Sequence, residues 1–252
     1  MTAKLTIEYD GTDFAGWAAQ PGQRTVQGEL ERVLATVLRR DTALAVAGRT
    51  DSGVHAWAQV ASHAGGPAPL GGLNAMLAPD VSVLASELAP DGFDARRDCT
   101  SRAYCYRVVA RRGRPALESS RALHWTYPVD FEALRKSAAL LGGTHDFTAF
   151  TPTDTYHVRF DRDVYAAQWR ALDQDVLEFW IEADTFMRHM NRVLVGTMLD
   201  VARGRMSVAA FARLLDGRPR ADAGPTAPAH GLYFAGAGYR GERILTAQDP
   251  SR

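Results

Sequence analysis

One order of sequence patterns occurs twice in this chain, and that repetition limits the folds open to it. Residues 4–9 (Lys-Leu-Thr-Ile-Glu-Tyr) alternate polar and apolar, the period of a half-buried strand, and Asp10-Gly11 ends the run. A loop carrying Phe14, Gly16 and Trp17 follows. The period then changes: Val26, Leu30, Val33, Leu34, Val37 and Leu38 recur at helical spacing behind Thr25, a residue suited to cap a helix. Residues 43–47 and 56–63 form the next two strand patterns, 65–72 a Gly/Pro-rich loop, and 74–78 a short helical turn. The second half opens with a strand pattern over 103–110. A helix behind Asp130 carries Phe131, Leu134, Ala138 and Leu141 and is closed by Gly142-Gly143; strands follow over 162–171 and 176–183. A longer helix over 185–202, a short one over 207–215, a loop over 221–228 and a strand over 232–237 complete the chain. Strand, helix, strand, strand in each half predicts an α+β fold: two similar halves, 1–100 and 101–252, with antiparallel sheets forming a shared sheet and a central cleft.

Composition narrows the function classes. The chain of 252 residues carries 29 Lys+Arg and 29 Asp+Glu, so a uniformly basic surface is excluded, though a basic cleft is not. Of the 29 cations only Lys4 and Lys136 are lysine. Arginine suits phosphate forks and base stacking, but GC-rich codon usage enriches Arg and Ala in the same way. Hydrophobic residues at 46% and charged residues at 23% exclude wholesale disorder. No apolar run reaches the ~18 residues of a membrane helix, and the opening Met1-Thr-Ala-Lys-Leu lacks a signal-peptide core, so a cytoplasmic protein is expected. Cys99 and Cys105 are the only cysteines; with no CxxC or HExxH pattern, two free thiols and no metal site are expected.

The segment richest in chemistry is residues 47–56, Ala-Gly-Arg-Thr-Asp-Ser-Gly-Val-His-Ala, between two strand patterns. Gly48 and Gly53 permit backbone geometry that other residues resist, so the loop can aim Arg49 and Asp51 into a cleft. An ordinary hairpin with an Asp turn would carry the same spacing. A Ser-His-Asp triad from Asp51, Ser52 and His55 is excluded, because neighbours in one turn point apart. A P-loop lacks its Gly-Lys-Ser/Thr. What remains is one carboxylate beside a cation and a glycine hinge, and a lone carboxylate kept ionised and dry can act as a nucleophile.

Gly48-Arg49-Thr50-Asp51-Ser52-Gly53-Val54-His55 resembles the catalytic motif of the tRNA pseudouridine synthase A family, usually Gly-Arg-Thr-Asp-Ala-Gly-Val-His. Further landmarks resemble that family in order. They are Glu8-Tyr9-Asp10-Gly11 with Phe14-Ala-Gly16-Trp17, Thr25-Val26-Gln27, Phe93-Asp-Ala-Arg96 and Arg102-Ala-Tyr104-Cys-Tyr106 in the first part. Phe186-Met-Arg-His189-Met190-Asn-Arg192 and Gly231-Leu232-Tyr233 follow in the second. The chain departs at Ser52 (usually Ala), at Trp17-Ala-Ala-Gln20 (more often Trp-Gln-x-Gln) and at Ala103, where many members have a basic residue.

The resemblance implies the pseudouridine synthase fold and isomerisation of uridine in the anticodon stem-loop of tRNA, by a homodimer, with neither cofactor nor metal. Carried over residue by residue, it makes Asp51 the nucleophile or general catalyst, Arg192 the cation that keeps it ionised, and Tyr104 the wall on which the uracil stacks. Arg49 would either enter the gap left by the flipped nucleotide or clamp a phosphate. His55 would place Asp51 or pack the loop, and Asn74, Arg96 and His189 rank behind these. Helical spacing would put Arg188 and Arg192 on adjacent turns of one face, so either could instead face water. Tyr106, on the same strand face as Tyr104, fits a core role. The competing readings are a catalytically silent RNA-binding protein on the same scaffold and a synthase acting on another RNA.

Overall fold

The alternation at the start of the chain becomes strand β1 (Thr2–Tyr9), whose Ala3, Leu5, Ile7 and Tyr9 are buried on one face. In the computed structural model, residues 1–155, 157–172 and 175–245 are described. They form two compact units, one of Met1–Arg102 with Tyr233–Ile244, the other of Ala103–Leu232 with Leu245.

In the first unit, Thr25 is extended and its Oγ1 accepts from the Gly28 N–H at 3.2 Å, starting helix α1 (Val26–Leu38). The helix buries Val26, Leu30, Val33 and Leu34 and ends at Arg39 in the left-handed region. Two residues, Ala45–Val46 (β2), pair antiparallel with β3 (His55–Ala64), which also pairs antiparallel with β1. Helix α2 (Leu70–Met76) starts earlier than the expected turn at 74–78 and takes over the end of the expected loop. Pro69 stands at its N-cap, and Gly72, lacking a side chain, lets the helix lie against Val37 of α1. Strand β4 (Val81–Ala89) has no counterpart in the sequence patterns. It is an edge strand beside β1, and a register shift at Thr6/Ile7 breaks its alternation, leaving Leu84 and Leu88 exposed.

Strand β5 (Cys99–Ala110) begins four residues before the expected 103. Residues 99–102 lie in the first unit, where Thr100 Oγ1 donates to the Gly238 carbonyl at 3.2 Å. In the second unit β5 runs parallel with β6 (Leu123–Trp125) and lies beside β9 (Val176–Ala183). Antiparallel pairing then continues to β8 (Asp161–Ala171) and to β7 (Gly143–Asp146). Helix α3 (Phe131–Ala139) is capped by Asp130, whose carboxylate accepts from the Ala133 N–H, and packs on β8 and on α4 (Met190–Ala202). Helix α5 (Val208–Leu214) completes the layer, with Ser207 as its N-cap.

The start of α4 corrects the expected helix over 185–202. His189 sits at φ 62° with no side-chain cap, and residues 185–189 are not helical. A left-handed residue cannot continue a right-handed helix, so Arg188 precedes the helix and does not share a helical face with Arg192. The last strand, β10 (Leu232–Tyr239), belongs to the first unit from Tyr233 onward, where Tyr233 and Phe234 pair parallel with His55 and Ala56 of β3. The architecture is α+β with mostly antiparallel strands. Among the described residues no helix is long and apolar enough to cross a membrane. Cys99 and Cys105 are free; burial pushes the Cys105 thiol well above its ordinary pKa.

Candidate active site

The loop between β2 and β3 carries Arg49 and Asp51, and its backbone is tied down on several sides. The Ala47 N–H donates to the Val60 carbonyl at 2.9 Å. Gln59 Nε2 donates to the Gly48 carbonyl at 2.7 Å. The Trp17 N–H donates to the Thr50 carbonyl at 3.0 Å, and the Thr50 hydroxyl bonds the Tyr9 hydroxyl at 2.7 Å. Beyond Asp51, Ser52 Oγ donates to the Phe14 carbonyl at 3.1 Å and the Val54 N–H closes the turn on the Asp51 carbonyl at 3.2 Å. Asp51 is half-buried, Arg49 exposed and Thr50 buried.

Two glycines make this clamping possible. A Cβ on Gly11 would lie 2.0 Å from the Val54 carbonyl oxygen, and one on Gly16 would lie 2.9 Å from that of Thr50. Gly16 also sits at φ +97°, a conformation side chains resist. The loop after β1 therefore lies backbone to backbone against the Asp51 loop. The same loop accepts the first N–H groups of α1, from Val26 to the Gly16 carbonyl and from Gln27 to that of Trp17. Arg24 fixes its far side, forking onto the Asp80 carboxylate with two bonds of 2.7 Å and lying 4.0 Å over the Phe14 ring.

Beneath the loop, Tyr9 and Gln59 form a buried pair. Gln59 Nε2 lies 3.4 Å from the Tyr9 oxygen as well as bonding Gly48. Desolvation pushes the Tyr9 phenol up to about 12, so it stays a neutral donor and acceptor. The register shift between Ile7 and Tyr9 turns the end of β1 towards Thr50. His55 is buried: its Nδ1 accepts from the Gly11 N–H at 2.9 Å and lies 3.1 Å from an Asp10 carboxylate oxygen. Since Nδ1 accepts there, we take the Gly11 bond, and not an ion pair with Asp10, as what orients the ring. His55 and Trp57 both stack on Tyr233, with centroids 4.8 and 4.4 Å away. The imidazole thus packs the loop onto β10.

In the second unit, Tyr104 is 7% exposed and meets Phe186 edge-on with centroids 5.0 Å apart. Tyr106 is wholly buried and donates to the Pro228 carbonyl at 2.8 Å, a core role, and burial raises its pKa. Arg192, in the first turn of α4, donates from Nε to the Ala227 carbonyl at 2.7 Å, while the Ala227 N–H donates back to the Arg192 carbonyl at 3.0 Å. The segment 224–228 can lie on α4 only because Gly196 has no side chain; a Cβ there would sit 1.9 Å from the Pro225 carbonyl oxygen. Arg188 is exposed and forms an ion pair with Asp154, whose carboxyl is held below its ordinary range by that guanidinium.

A family profile described as tRNA pseudouridine synthase matches residues 137–240. Among curated proteins, "tRNA pseudouridine synthase A" of Bacillus velezensis is 38% identical over 242 residues, 93% of this chain and 97% of its own length. The protein of the same name from Myxococcus xanthus is 39% identical over 244 residues, covering 94% and 91% of the two chains. That from Bacillus subtilis is 38% identical over 242 residues, covering 93% and 97%. The chain belongs to the tRNA pseudouridine synthase A family. Among solved structures, a Cbf5–Nop10–Gar1 complex aligns at TM-score 0.33 and 11% identity over 78% of this chain and 54% of that one, a likeness too slight to argue from.

Within this family scaffold the structure sorts the candidate residues. Arg49, Asp51 and His55 share one clamped loop, and Arg96 joins Arg49 at the wall of a cavity of about 250 Å³. Asn74 stands apart: its amide donates to the Val83 carbonyl at 2.9 Å and accepts from the Val83 N–H at 2.8 Å, so it fastens α2 to β4. His189 occupies the left-handed position before α4, its carbonyl accepting from the Val193 N–H. Sequence reasoning did not single out Tyr9 and Gln59 as supports of the Asp51 loop. The signal available was a glutamine facing inward on a largely apolar strand, and it becomes specific only once β1 and β3 are paired.

Proposed function

We propose that this chain isomerises uridine to pseudouridine in the anticodon stem-loop of tRNA, with Asp51 as nucleophile or general catalyst. The reaction breaks the C1′–N1 bond, turns the uracil in place and joins C1′ to C5, and the C5 proton leaves to water. Nothing is oxidised and no group is transferred, so the reading requires neither cofactor nor metal. Attack of the carboxylate on C1′ and abstraction of a ribose proton both use one ionised carboxylate. Arg192 supplies the cation that favours that ionised form. Tyr104 provides a flat surface for the turning base, where stacking contributes roughly 1–3 kcal/mol. Arg49 acts where the nucleotide leaves the stack.

The observation that carries this reading is the Gly48–His55 motif on a backbone bonded at Gly48, Thr50 and Ser52. A reactive carboxylate held in place avoids reorganisation at the moment of reaction. Tritium release from tRNA labelled at uracil C5 tests it. Wild type should release tritium and Asp51→Asn should not, while still binding tRNA; turnover by Asp51→Asn would remove the assignment. The same reading makes the protein a cytoplasmic homodimer, and a monomeric mass by light scattering at assay concentration would overturn the dimer.

A further inference from the structure

We propose that the cavity of about 250 Å³ beside the Asp51 loop is a docking site for an RNA backbone phosphate close to the target uridine. Three guanidinium groups line it, from Arg49, Arg96 and Arg97. Among the described residues none of the three has a side-chain hydrogen bond or ion pair, whereas Arg24, Arg32, Arg107 and Arg203 each hold a carboxylate. Three cations sharing one concavity without counter-charge repel one another, and an anion relieves that repulsion.

The carboxylate on the wall does not supply that anion. Asp94 Oδ1 accepts from the Arg96 and Arg97 N–H groups at 2.8 and 2.9 Å, which folds the turn that presents both arginines. Arg102 ties this turn to the catalytic loop: it donates to the Arg96 carbonyl at 3.2 Å and to the Ala47 carbonyl at 2.7 Å. The site is therefore built, although its arginine heads are exposed. Its chemistry selects backbone over base. Gln27, the amide on the wall, accepts from the Ala19 N–H at 3.2 Å and donates to Glu31 at 2.8 Å, so its donor and acceptor are already engaged. The volume lies below the ~300–1,000 Å³ of pockets that enclose a whole small ligand, which suits a phosphate with its ribose. Arg49 is two residues from Asp51, so the phosphate bound here belongs to a nucleotide flanking the reacting one.

This inference rests on the tRNA reading above, and its test keeps the two apart. Binding of unmodified tRNA to the full-length Asp51→Asn protein is measured by filter retention at several salt concentrations, without turnover. Adding Arg97→Ala should weaken binding and flatten the slope of log K against log salt by roughly 0.7–0.9, the contribution of one phosphate contact. Arg96→Ala with Arg97→Ala should flatten it about twice as far, Arg97→Lys should restore most of the slope, and the exposed control Arg135→Ala should leave it unchanged. In the active enzyme Arg97→Ala should raise KM and keep kcat within about twofold, as expected when uniform binding is removed. An unchanged slope in Arg97→Ala would overturn the pocket, as would a loss confined to kcat. Inorganic phosphate at constant ionic strength separates the possible sources: saturable competition that disappears in Arg97→Ala would reassign the cavity to free phosphate. Absence of any tRNA binding by the Asp51→Asn protein would overturn the functional reading itself.

Discussion

Replacing Tyr9 with Phe removes one oxygen from beneath the catalytic loop and nothing else. That oxygen bonds the Thr50 hydroxyl at 2.7 Å and lies 3.4 Å from Gln59 Nε2, in a site where Tyr9 is 4% exposed and Gln59 wholly buried. The substitution strands a buried hydroxyl and a buried amide proton, and each such loss costs about 1–3 kcal/mol. In a chain of this length about 1 kcal/mol moves Tm by roughly 2–4 °C, so a drop of several degrees is expected. The same two bonds restrain Thr50 and Gly48 on either side of Arg49, one residue from Asp51. If they hold the carboxylate in its reactive place, each ~1.4 kcal/mol lost in the transition state lowers the rate tenfold. Single-turnover tritium release with saturating enzyme should therefore fall about 10-fold to 100-fold, with tRNA affinity unchanged. Thr50→Val should mimic the defect, Thr50→Ser should retain most of the rate, and the Tyr9→Phe, Thr50→Val double variant should be little worse than either single one. A Tyr9→Phe enzyme with lowered Tm but wild-type single-turnover rate would refute the argument, because the bond would then stabilise the fold without placing Asp51. The phenol adds a second signature. Its folded pKa of about 12 lies above the ordinary value of 10.0, so as pH rises past 10 the unfolded chain loses this proton before the folded one. The contribution of Tyr9 is fully present below about pH 10 and is lost as pH climbs towards 12, on the order of 2–3 kcal/mol in all. Tyr9→Phe should flatten the loss of stability over that window in denaturant titrations.

Other perturbations probe the second unit and the scaffold. Gly196→Ala places a methyl group against the Pro225 carbonyl and should cost about 1–3 kcal/mol. It should also lower turnover by loosening the Ala227 contact of Arg192, and unchanged Tm and turnover would show that segment 224–228 can shift freely. Arg192→Ala should reduce the single-turnover rate by at least ~100-fold, whereas Arg188→Ala, which breaks an exposed pair, should cost less than ~10-fold; the reverse order would exchange their roles. Tyr104→Phe keeps the stacking ring and should lose less than about tenfold, and a greater loss in the tritium assay would bring its hydroxyl into the chemistry. Asn74→Ala should lower Tm through the two lost Val83 bonds while leaving tRNA affinity intact, and weakened binding at a temperature where the variant is folded would return Asn74 to the RNA surface.

Local chemistry was legible in the sequence by itself. Thr25 and Asp130 mark helix starts because a capping side chain bonds N–H groups only two or three residues on. The strands at 2–9, 55–64, 161–171 and 176–183 announce themselves through runs whose faces differ in polarity. The motif at 48–55 was readable too, because its eight residues are contiguous. Tertiary structure decided the features in which partners lie far apart. Strand β4 exists because β1 offers it an edge, and a register shift hides its alternation. Helix α4 starts at Met190, and not near 185, because His189 takes the left-handed conformation, which no local signal marks. β10 joins the first unit because Tyr233 and Phe234 pair with β3, some 178 positions earlier in the chain. The support of the Asp51 loop was hidden for the same reason. Tyr9 and Thr50 are 41 residues apart, and Arg102 reaches Ala47 across 55. A one-dimensional pattern records which faces are apolar; which polar group meets which across such separations depends on strand register and on the close approaches that Gly11, Gly16 and Gly196 permit.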